Sequence, residues 1–255
     1  MALITGAGSG LGEATARLLA ACGARVAAMD CGEAALRRVV ADIVDAGGTA
    51  VALVADVTAP DQLASGVEQI KATWGRLDIV VANAGINGVW APVDEITPDE
   101  WDRTMNVNLK GTFLTVRAST PLLKESGGGS VILMSSGMGT RMFSTSGSTA
   151  YATSKAGQVA FGRMIALELA KHKIRVNTIC PGAFPTNIAK STSFRNTRDL
   201  HLPVNFPEGK VPLTGGPNGT PEQVARLAWF LASDLSDHIT GTEVVIDGGQ
   251  SLLVG

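Results

Sequence analysis

Residues 2–12 read ALITGAGSGLG, an apolar run that leads directly into a glycine-rich turn. The apolar run is typical of a buried strand, and residues 13–21 after the turn have a helical pattern. This order places backbone amides at a helix N-terminus, where a pyrophosphate is favoured. The spacing is Gly6-x-x-x-Gly10-x-Gly12, because a Gly-x-Gly-x-x-Gly pattern would need glycine at Leu11. Such a turn can be purely structural, but its position between a first strand and a first helix favours dinucleotide binding.

Short apolar runs alternate with helical stretches along most of the chain. After the first strand we predict strands at residues 25–30, 50–55, 77–82, 130–135, 174–180 and 243–247. This alternation is typical of a parallel sheet with helices on both faces. We therefore predict a Rossmann-type, doubly wound α/β fold of about seven strands, with residues 1–255 forming a single domain. Threonine followed by proline in the first turn predicts capped helix starts at Thr58, Thr97 and Thr220.

The helical and strand periodicity fails between residues 183 and 219, a stretch rich in proline and glycine. A long irregular insert in a compact domain is usually a binding lid or a disordered loop. We interpret residues 183–219 as a substrate-binding lid, because they follow a strand end at the expected cofactor crevice.

Composition excludes several classes of function. The chain has 255 residues, 45% of them hydrophobic, with a formal charge of −2 and a pI of about 5.9. No apolar segment is long enough to span a membrane, and no basic cluster suggests a nucleic-acid surface. The three cysteines are an odd number and lack the spacing of a disulfide framework, so we expect reduced thiols in a cytoplasmic protein. The three histidines lack the spacing of metal ligands, so we expect no metal site. These residues are Cys22, Cys31, Cys180, His172, His201 and His238.

Tyr151 and Lys155 lie four residues apart, and Tyr151 is the only tyrosine of the chain. On a helix this spacing places both side chains on one face. A cation about 4 Å from a phenolate attracts it by roughly 4 kcal/mol at an effective dielectric of about 20. That attraction predicts a tyrosine pKa two or three units below its usual value of about 10. Tyr151 could then exchange a proton with an alcohol or a ketone near neutral pH.

Further motifs follow in a fixed order along the chain. They are Asp56-Val57, Asn83-Ala84-Gly85, Asn108, Ser135-Ser136, Tyr151-x-x-x-Lys155, Pro181-Gly182 and Asp247-Gly248-Gly249. With the glycine turn, this set resembles the short-chain dehydrogenase/reductase family, of the single-domain type, over residues 2–249. The resemblance implies an oxidoreductase that transfers hydride reversibly between a nicotinamide cofactor and a secondary alcohol or ketone.

The resemblance also assigns the cofactor site. Asp30, about 20 residues beyond the glycine turn, would accept hydrogen bonds from the adenosine ribose. No basic residue stands at Ser9 or Cys31, so we expect NAD rather than NADP. The implied cofactor residues are Gly6, Ser9, Gly10, Leu11, Gly12, Asp30, Cys31, Asp56, Val57, Asn83, Ala84, Gly85, Val107, Tyr151, Lys155, Pro181, Gly182, Phe184 and Thr186.

By the same resemblance, Tyr151 is the catalytic acid/base and Lys155 binds the nicotinamide ribose. Ser136 would polarise the substrate oxygen, and Asn108 would position a water that links Lys155 to solvent. Ser135 is the alternative serine; alternation along the strand favours Ser136.

Two further choices in this region stay open. Asn106 competes with Asn108, although the family pattern favours the asparagine that is followed by Leu-x-Gly. The segment between the catalytic serine and Tyr151 carries a two-residue insertion relative to the family, which we expect to enlarge a loop beside the substrate.

The substrate itself is not identified by the sequence. Aromatic and methionine side chains near the expected pocket suggest an apolar substrate, although core or lid packing explains them equally well: Trp90, Met138, Phe143 and Phe184, beside Ser136. Alternative functions are an NADP-dependent ketone or 3-oxoacyl reductase, a sugar-nucleotide epimerase or dehydratase, and a non-catalytic dinucleotide sensor. Small residues on the helix after Tyr151 predict a homodimer or homotetramer interface, or else close internal packing.

Overall fold

Seven parallel strands form the central sheet of the molecule. The structure is a computed structural model that describes residues 1–143, 145–200, 211–216 and 218–254. Every strand predicted from the sequence lies within two residues of its observed bounds. The sheet contains β1 (Ala2–Thr5), β2 (Arg25–Asp30), β3 (Thr49–Val54), β4 (Ile79–Ala82), β6 (Gly129–Met134), β7 (Ile174–Pro181) and β9 (Glu243–Ile246).

The strand order is β3-β2-β1-β4-β6-β7-β9, and every neighbouring pair is parallel. After β3 the chain crosses to the other side of β1 to form β4, so the direction of winding reverses between β1 and β4. Ligands of open α/β sheets bind at such a switch point, outside the carboxyl ends of the strands. The predicted doubly wound α/β fold is confirmed.

Helices cover both faces of the sheet. The α-helices in the described residues are α1 (Gly10–Ala21), α2 (Glu33–Asp45), α3 (Pro60–Trp74), α4 (Pro98–Met105), α5 (Gly111–Glu125), α6 (Thr149–Ala170), α7 (Pro221–Ala232) and α8 (Ser251–Val254). A π-helical turn, Asn106–Lys110, joins α4 to α5.

Each face of the sheet has its own hydrophobic core. Leu3 packs in the cluster formed with α3, α5 and α6, whereas its neighbour Ile4 packs in the cluster formed with α1, α2 and α7. Both residues are fully buried, because successive side chains of a strand point to opposite faces. This two-sided burial explains why the strands read as continuous apolar runs.

Two of the three predicted helix starts are capped as expected. Thr97 accepts a hydrogen bond from Glu100 N at 3.3 Å, and Glu100 Oε2 accepts one from Thr97 N at 2.9 Å. Thr220 forms the capping box at the start of α7. The prediction for Thr58 is wrong, because its hydroxyl donates to Asp56 Oδ1 at 2.8 Å and the helix cap falls on the next residue.

A second, two-stranded sheet was not predicted. β5 (Gly88–Trp90) pairs in parallel with β8 (Thr192–Phe194), and the Trp90 and Phe194 rings meet edge to face at 5.5 Å. This sheet ties the segment 183–219 to the chain that follows β4. Within that segment, residues 201–210, which include His201, and residue 217 lie outside the described residues.

Candidate active site

A cleft of about 960 Å³ lies along the carboxyl ends of the strands, at the switch point. It is lined by every predicted cofactor residue except Gly12, which packs beneath the turn. The predicted residues on its wall are Gly6, Ser9, Gly10, Leu11, Asp30, Cys31, Asp56, Val57, Asn83, Ala84, Gly85, Val107, Tyr151, Lys155, Pro181, Gly182, Phe184 and Thr186.

The glycine turn has the backbone that its sequence predicts. Gly6 and Gly10 have φ angles of +66° and +57°, a left-handed conformation that favours glycine. A Cβ atom on Gly12 would lie 2.1 Å from the carbonyl oxygen of Gly6, so α1 approaches the turn too closely for any side chain. Ser9 and Gly10 line the cleft at the start of α1, where a phosphate is favoured.

A carboxylate stands at one end of the cleft. Asp30 Oδ2 accepts a hydrogen bond from Gly8 N at 3.0 Å, and Oδ1 accepts one from Gly32 N at 2.8 Å. Partial burial, together with the neighbouring carboxylates of Asp30 and Asp56, raises the pKa of the Cys31 thiol. This end of the cleft therefore has a negative potential.

Hydrogen bonds connect the segment Asn83-Ala84-Gly85 to the end of β1. Thr5 Oγ1 accepts hydrogen bonds from the amides of Asn83 and Ala84 at 3.0 and 3.1 Å, and Asn83 Nδ2 donates to Thr5 O at 2.9 Å. These contacts join the carboxyl ends of the two strands on either side of the switch point.

One face of α6 carries the predicted catalytic pair. Tyr151 and Lys155 are both buried on the wall of the cleft, and Lys155 Nζ lies 5.6 Å from the centre of the Tyr151 ring. Lys155 Nζ donates to Met134 O at 2.9 Å, and Ser136 lines the same wall of the cleft as Tyr151. The phenol, the serine hydroxyl and the amine therefore meet at one place.

Burial moves the pKa values of both groups. It raises the pKa of Tyr151, while the neighbouring Ser136 side chain opposes that change. It lowers the pKa of Lys155 to about 8. The predicted lowering of the tyrosine pKa by the lysine is not found, because the cost of burying a phenolate dominates.

The two candidate serines have different partners. Ser136 lies beside Tyr151, whereas Ser135 Oγ donates to Lys155 O at 2.7 Å and joins the end of β6 to α6. Ser136 Oγ also accepts a hydrogen bond from Met138 N at 3.1 Å. The geometry favours Ser136 as the residue that faces a substrate.

Asn108 lies beneath the cleft, fully buried in the π-helical turn. Its Oδ1 accepts from Ile86 N at 2.8 Å, and its Nδ2 donates to Ile86 O at 2.9 Å and to Ser154 Oγ at 3.0 Å. Asn106, the competing asparagine, lines the cleft instead. The structure thus places Asn108 behind the reacting groups.

The segment after β7 covers the other side of the cleft. Thr186 lies against the glycine turn, since a Cβ atom on Gly10 would be 3.2 Å from Thr186 Cβ. Three lining residues that we did not predict, Asn187, Ile188 and Ser191, belong to the short 3-10 helix that follows. This part of the chain is irregular, so its sequence has no helical or strand periodicity from which these residues could have been predicted.

Three of the predicted substrate residues do not line this cleft. Trp90 packs on Phe194 in the small sheet, and Phe143 is 70% exposed. Met138 is in the loop after β6, where it forms a bridge with Met142. Phe184 and Ser136 do line the cleft.

A face of α4 and its π-helical extension also lines the cleft and was not predicted. Its charged and polar side chains recur at helical spacing, a pattern that by itself indicates a solvated face. Ile86, directly after Asn83-Ala84-Gly85, is a further unpredicted wall residue. The residues of the helical face are Asp99, Asp102, Arg103, Asn106 and Lys110.

The described part of the chain contains no cluster of three His, Cys, Asp or Glu side chains arranged to hold a metal ion. Within the same ranges, no helix has the length and apolar character needed to cross a membrane.

Comparison with known proteins agrees with this geometry. A family model described as "Enoyl-(Acyl carrier protein) reductase" matches residues 6–251. The FabG 3-oxoacyl-[acyl-carrier-protein] reductase of Thermotoga maritima is 37% identical, over 97% of this chain and 96% of the relative.

The solved structures that resemble this chain are also reductases and dehydrogenases. A 3-ketoacyl-ACP reductase from Sinorhizobium meliloti 1021 superposes with a TM-score of 0.94 at 51% identity, with 99% of both chains covered. A short-chain dehydrogenase from Mycobacterium paratuberculosis bound to NAD has a TM-score of 0.86 at 34% identity, covering 98% of this chain and 97% of the other.

This chain belongs to the short-chain dehydrogenase/reductase family. It is an NAD(P)-dependent oxidoreductase that acts on CH–OH groups.

Proposed function

We propose that the enzyme transfers hydride reversibly between NAD and a secondary alcohol or ketone, with Tyr151 as general acid/base. The observation that carries this proposal is the placement of Tyr151, Ser136 and Lys155 together on the wall of a cleft that also contains the glycine turn. The left-handed glycines and the carboxylate of Asp30 fit a dinucleotide. When bound, that cofactor supplies the hydride acceptor or donor.

The side chains have separate tasks. Ser136 holds the substrate oxygen, and Tyr151 takes the proton of an alcohol or returns one to a ketone. With a pKa of about 8, Lys155 is mainly an ammonium at neutral pH. Its positive charge stabilises the phenolate that forms when Tyr151 gives up its proton, and Asn108 supports Lys155 from behind.

The pKa of Tyr151 sets the pH dependence of the two directions. A raised pKa keeps the phenol protonated at neutral pH, which is the form that donates a proton to a ketone. Alcohol oxidation needs the phenolate. We therefore expect the rate of oxidation to rise from pH 7 into the alkaline range, while ketone reduction persists at neutral pH. Opposite pH profiles would contradict this assignment.

NAD is the proposed cofactor rather than NADP. A 2′-phosphate would meet Asp30 and the negative potential around Cys31. Arg38 Nη2 reaches Gly8 O at 3.4 Å, but the same group is paired with Glu13 Oε2 at 2.7 Å. The only guanidinium hydrogen-bonded to the turn in the described residues is therefore already neutralised.

A second candidate is an NADP-dependent 3-oxoacyl reductase. It is favoured by the names of the Sinorhizobium structure and the Thermotoga relative, which describe reductases of acyl-carrier-protein substrates. The unpredicted wall residues Asn187 and Ser191 offer polar groups to a longer substrate.

A substrate panel decides between these functions. Secondary alcohols are offered with NAD and with NADP, and 3-oxobutyryl thioesters with NADH and NADPH, while NAD(P)H absorbance is recorded. We expect the highest kcat/KM with NAD and a secondary alcohol. Tyr151→Phe should lose about 100- to 10,000-fold in kcat and still bind NAD. If the wild type binds NAD but turns over no member of the panel, the sensor alternative is supported instead.

We also propose that residues 183–219 act as a lid over the substrate. Support comes from Thr186 and Ile188, which face the glycine turn and the cleft from that segment. The lid would exclude water during hydride transfer.

Assembly as a homodimer or homotetramer is proposed on the outer face of α5 and α6. Met164 and Leu167 are 76% and 86% exposed on α6. Phe113 of α5 is 44% exposed, and its ring meets that of Phe161 of α6 edge to face at 6.1 Å. The small residues Gly157 and Gly162 of α6 pack internally, against Leu109 and Leu133. Light scattering of the wild type and Leu167→Glu would test this interface. The exposed free thiol of Cys22 suits the proposed cytoplasmic location.

A further inference from the structure

Asn108 is held from two directions by the helix that carries the catalytic pair. Ser154 Oγ accepts from Asn108 Nδ2 at 3.0 Å, and Gln158 Nε2 donates to Asn108 O at 2.9 Å. Both partners are fully buried. They lie on the same face of α6 as Tyr151 and Lys155, because the four positions are spaced by three or four residues.

The π-helical turn explains why side chains bond the backbone here. Gly111 N donates to Asn106 O, five residues back, which is the bonding of a π-helix. Asn108 O receives side-chain bonds from Thr112 Oγ1 at 2.7 Å and from Gln158 Nε2. Gln158 Nε2 also donates to Thr112 Oγ1 at 2.6 Å, which closes a small buried network.

Asn108 and Lys155 both approach Gly85. A Cβ atom there would lie 3.2 Å from Asn108 Oδ1 and 3.4 Å from Lys155 Nζ. A shift of Asn108 would therefore change the surroundings of the lysine. Glycine leaves the space between these two polar groups unobstructed.

Gln158 has one unfavourable feature. Its Oε1 is buried without a hydrogen-bond partner in the described part of the molecule. An unpaired buried acceptor destabilises a fold, and an apolar side chain of similar length would avoid that penalty. The benefit of the glutamine must therefore come from its Nε2 bonds.

We propose that Gln158, with Ser154, is a positioning residue that fixes Asn108 against Lys155. This inference rests on the proposed function of the same site. Gln158 does not touch the reacting groups. It acts on Asn108 O, and through Asn108 it sets the position and the protonation of Lys155.

The test is Gln158→Met in the full-length enzyme, with Ser119→Ala as the matched control. Ser119 Oγ is also buried without a partner, but it lies on α5, away from Asn108. We expect kcat to fall about tenfold or more in Gln158→Met, with the KM for NAD changed less than about twofold. The pH profile should shift with the pKa of Lys155. The control should keep the wild-type kcat and pH profile.

Two readouts separate this inference from the proposed function. NMR of labelled lysine follows the titration of Lys155 directly, whether or not a substrate is known. A shifted Lys155 titration in Gln158→Met supports the positioning role even if the wild type turns over no alcohol. If the lysine titration and kcat of Gln158→Met match the wild type, and only the thermal stability differs, Gln158 is structural and the inference is overturned.

Discussion

The two walls of the cleft are built in different ways. The sheet wall, residues 6–11, 30–31, 56–57 and 83–85, lies directly at strand ends. Its polar groups are tied to backbone, as when Thr5 Oγ1 accepts from two consecutive amides. The lid wall, residues 184–191, depends on a few side-chain contacts, such as Asn87 N to Ser191 Oγ at 2.9 Å.

An ion pair connects Arg195, which follows the lid wall in the chain, to Glu100 of α4. Arg195 Nη2 lies 2.8 Å from Glu100 Oε2, and the guanidinium also contacts Glu95 O. The hydrogen bonds with Arg195 and with the Thr97 amide lower the pKa of Glu100 to about 2. In the proposed function, the dinucleotide would bind to the wall that the sheet fixes, and the substrate would contact the lid wall.

The sharpest test of the sheet wall is Asp30→Ala. It removes an ionised acceptor, and bonds to charged groups contribute about 1.5–3 kcal/mol, so the KM for NAD should rise about 10- to 100-fold. The ratio of NADP to NAD use should rise as well. Initial rates with both cofactors measure this, with Glu33→Gln as a nearby surface control. An unchanged cofactor ratio would remove Asp30 from the ribose site.

A second test concerns the buried lysine between the walls. Its pKa is about 8 in the folded protein and about 10.4 when unfolded, so the unfolded chain binds the extra proton between these values. The lysine should therefore make the free energy of unfolding rise with pH from about 8, by roughly 1 kcal/mol per pH unit. The thiols of Cys31 and Cys180 and the phenol of Tyr151, whose pKa values are raised in the fold, act in the opposite direction. Urea unfolding of the wild type and of Lys155→Met at several pH values isolates the lysine, because the difference between the two proteins should rise by this slope between about pH 8 and pH 10.

A third test weakens α4, the helix to which Arg195 is paired through Glu100. Thr97→Ala removes one half of the capping box of α4 and should cost about 1 kcal/mol of stability. Thr73→Ala is the control, because that hydroxyl bonds Gln69 O within α3 and caps nothing. Equal losses in urea unfolding for both variants would show that the box does not stabilise α4.

The smallest effect is expected from Arg195→Ala. Partly exposed ion pairs contribute little, so the KM for substrate should rise only about two- to fivefold, with the KM for NAD unchanged. Arg37→Ala, which breaks the exposed pair with Glu33, is the control. An equal change in both KM values would mean that the lid wall is as closely coupled to the cofactor as the sheet wall is.

The contrast between the walls also explains what the sequence could predict. Residues of the sheet wall follow buried strands that the sequence shows as apolar runs. The glycine pattern indicated Gly6, and the family resemblance assigned Asp30 and Asn83 to the cofactor site. On the lid wall, Ile188 and Ser191 belong to no such run or pattern. The sequence did not show that Trp90 packs in a small neighbouring sheet and that Phe143 lies in an exposed loop, because apolar character is common to clefts, sheets and loops.

The sequence predicted only some of the residues on the face of α6 that carries Tyr151 and Lys155. Spacing identified Tyr151 and Lys155, but the same spacing continues to Gln158, whose partner lies on another helix. The π-helical turn that brings Asn108 to it has no sequence signal. The sequence argument also predicted the wrong direction for the shift of the Tyr151 pKa. It considered only the charge of the neighbouring lysine and omitted the desolvation of the phenol, which depends on the folded surroundings.

Because Tyr151 is the only tyrosine in 255 residues, the protein contains its own optical reporter. The absorbance change that marks tyrosinate formation in the folded enzyme comes from a single phenol, and that phenol is the proposed acid/base. An alkaline spectrophotometric titration therefore follows one group without labelling, and repeating it with NAD or in Gln158→Met shows how each neighbour affects that proton.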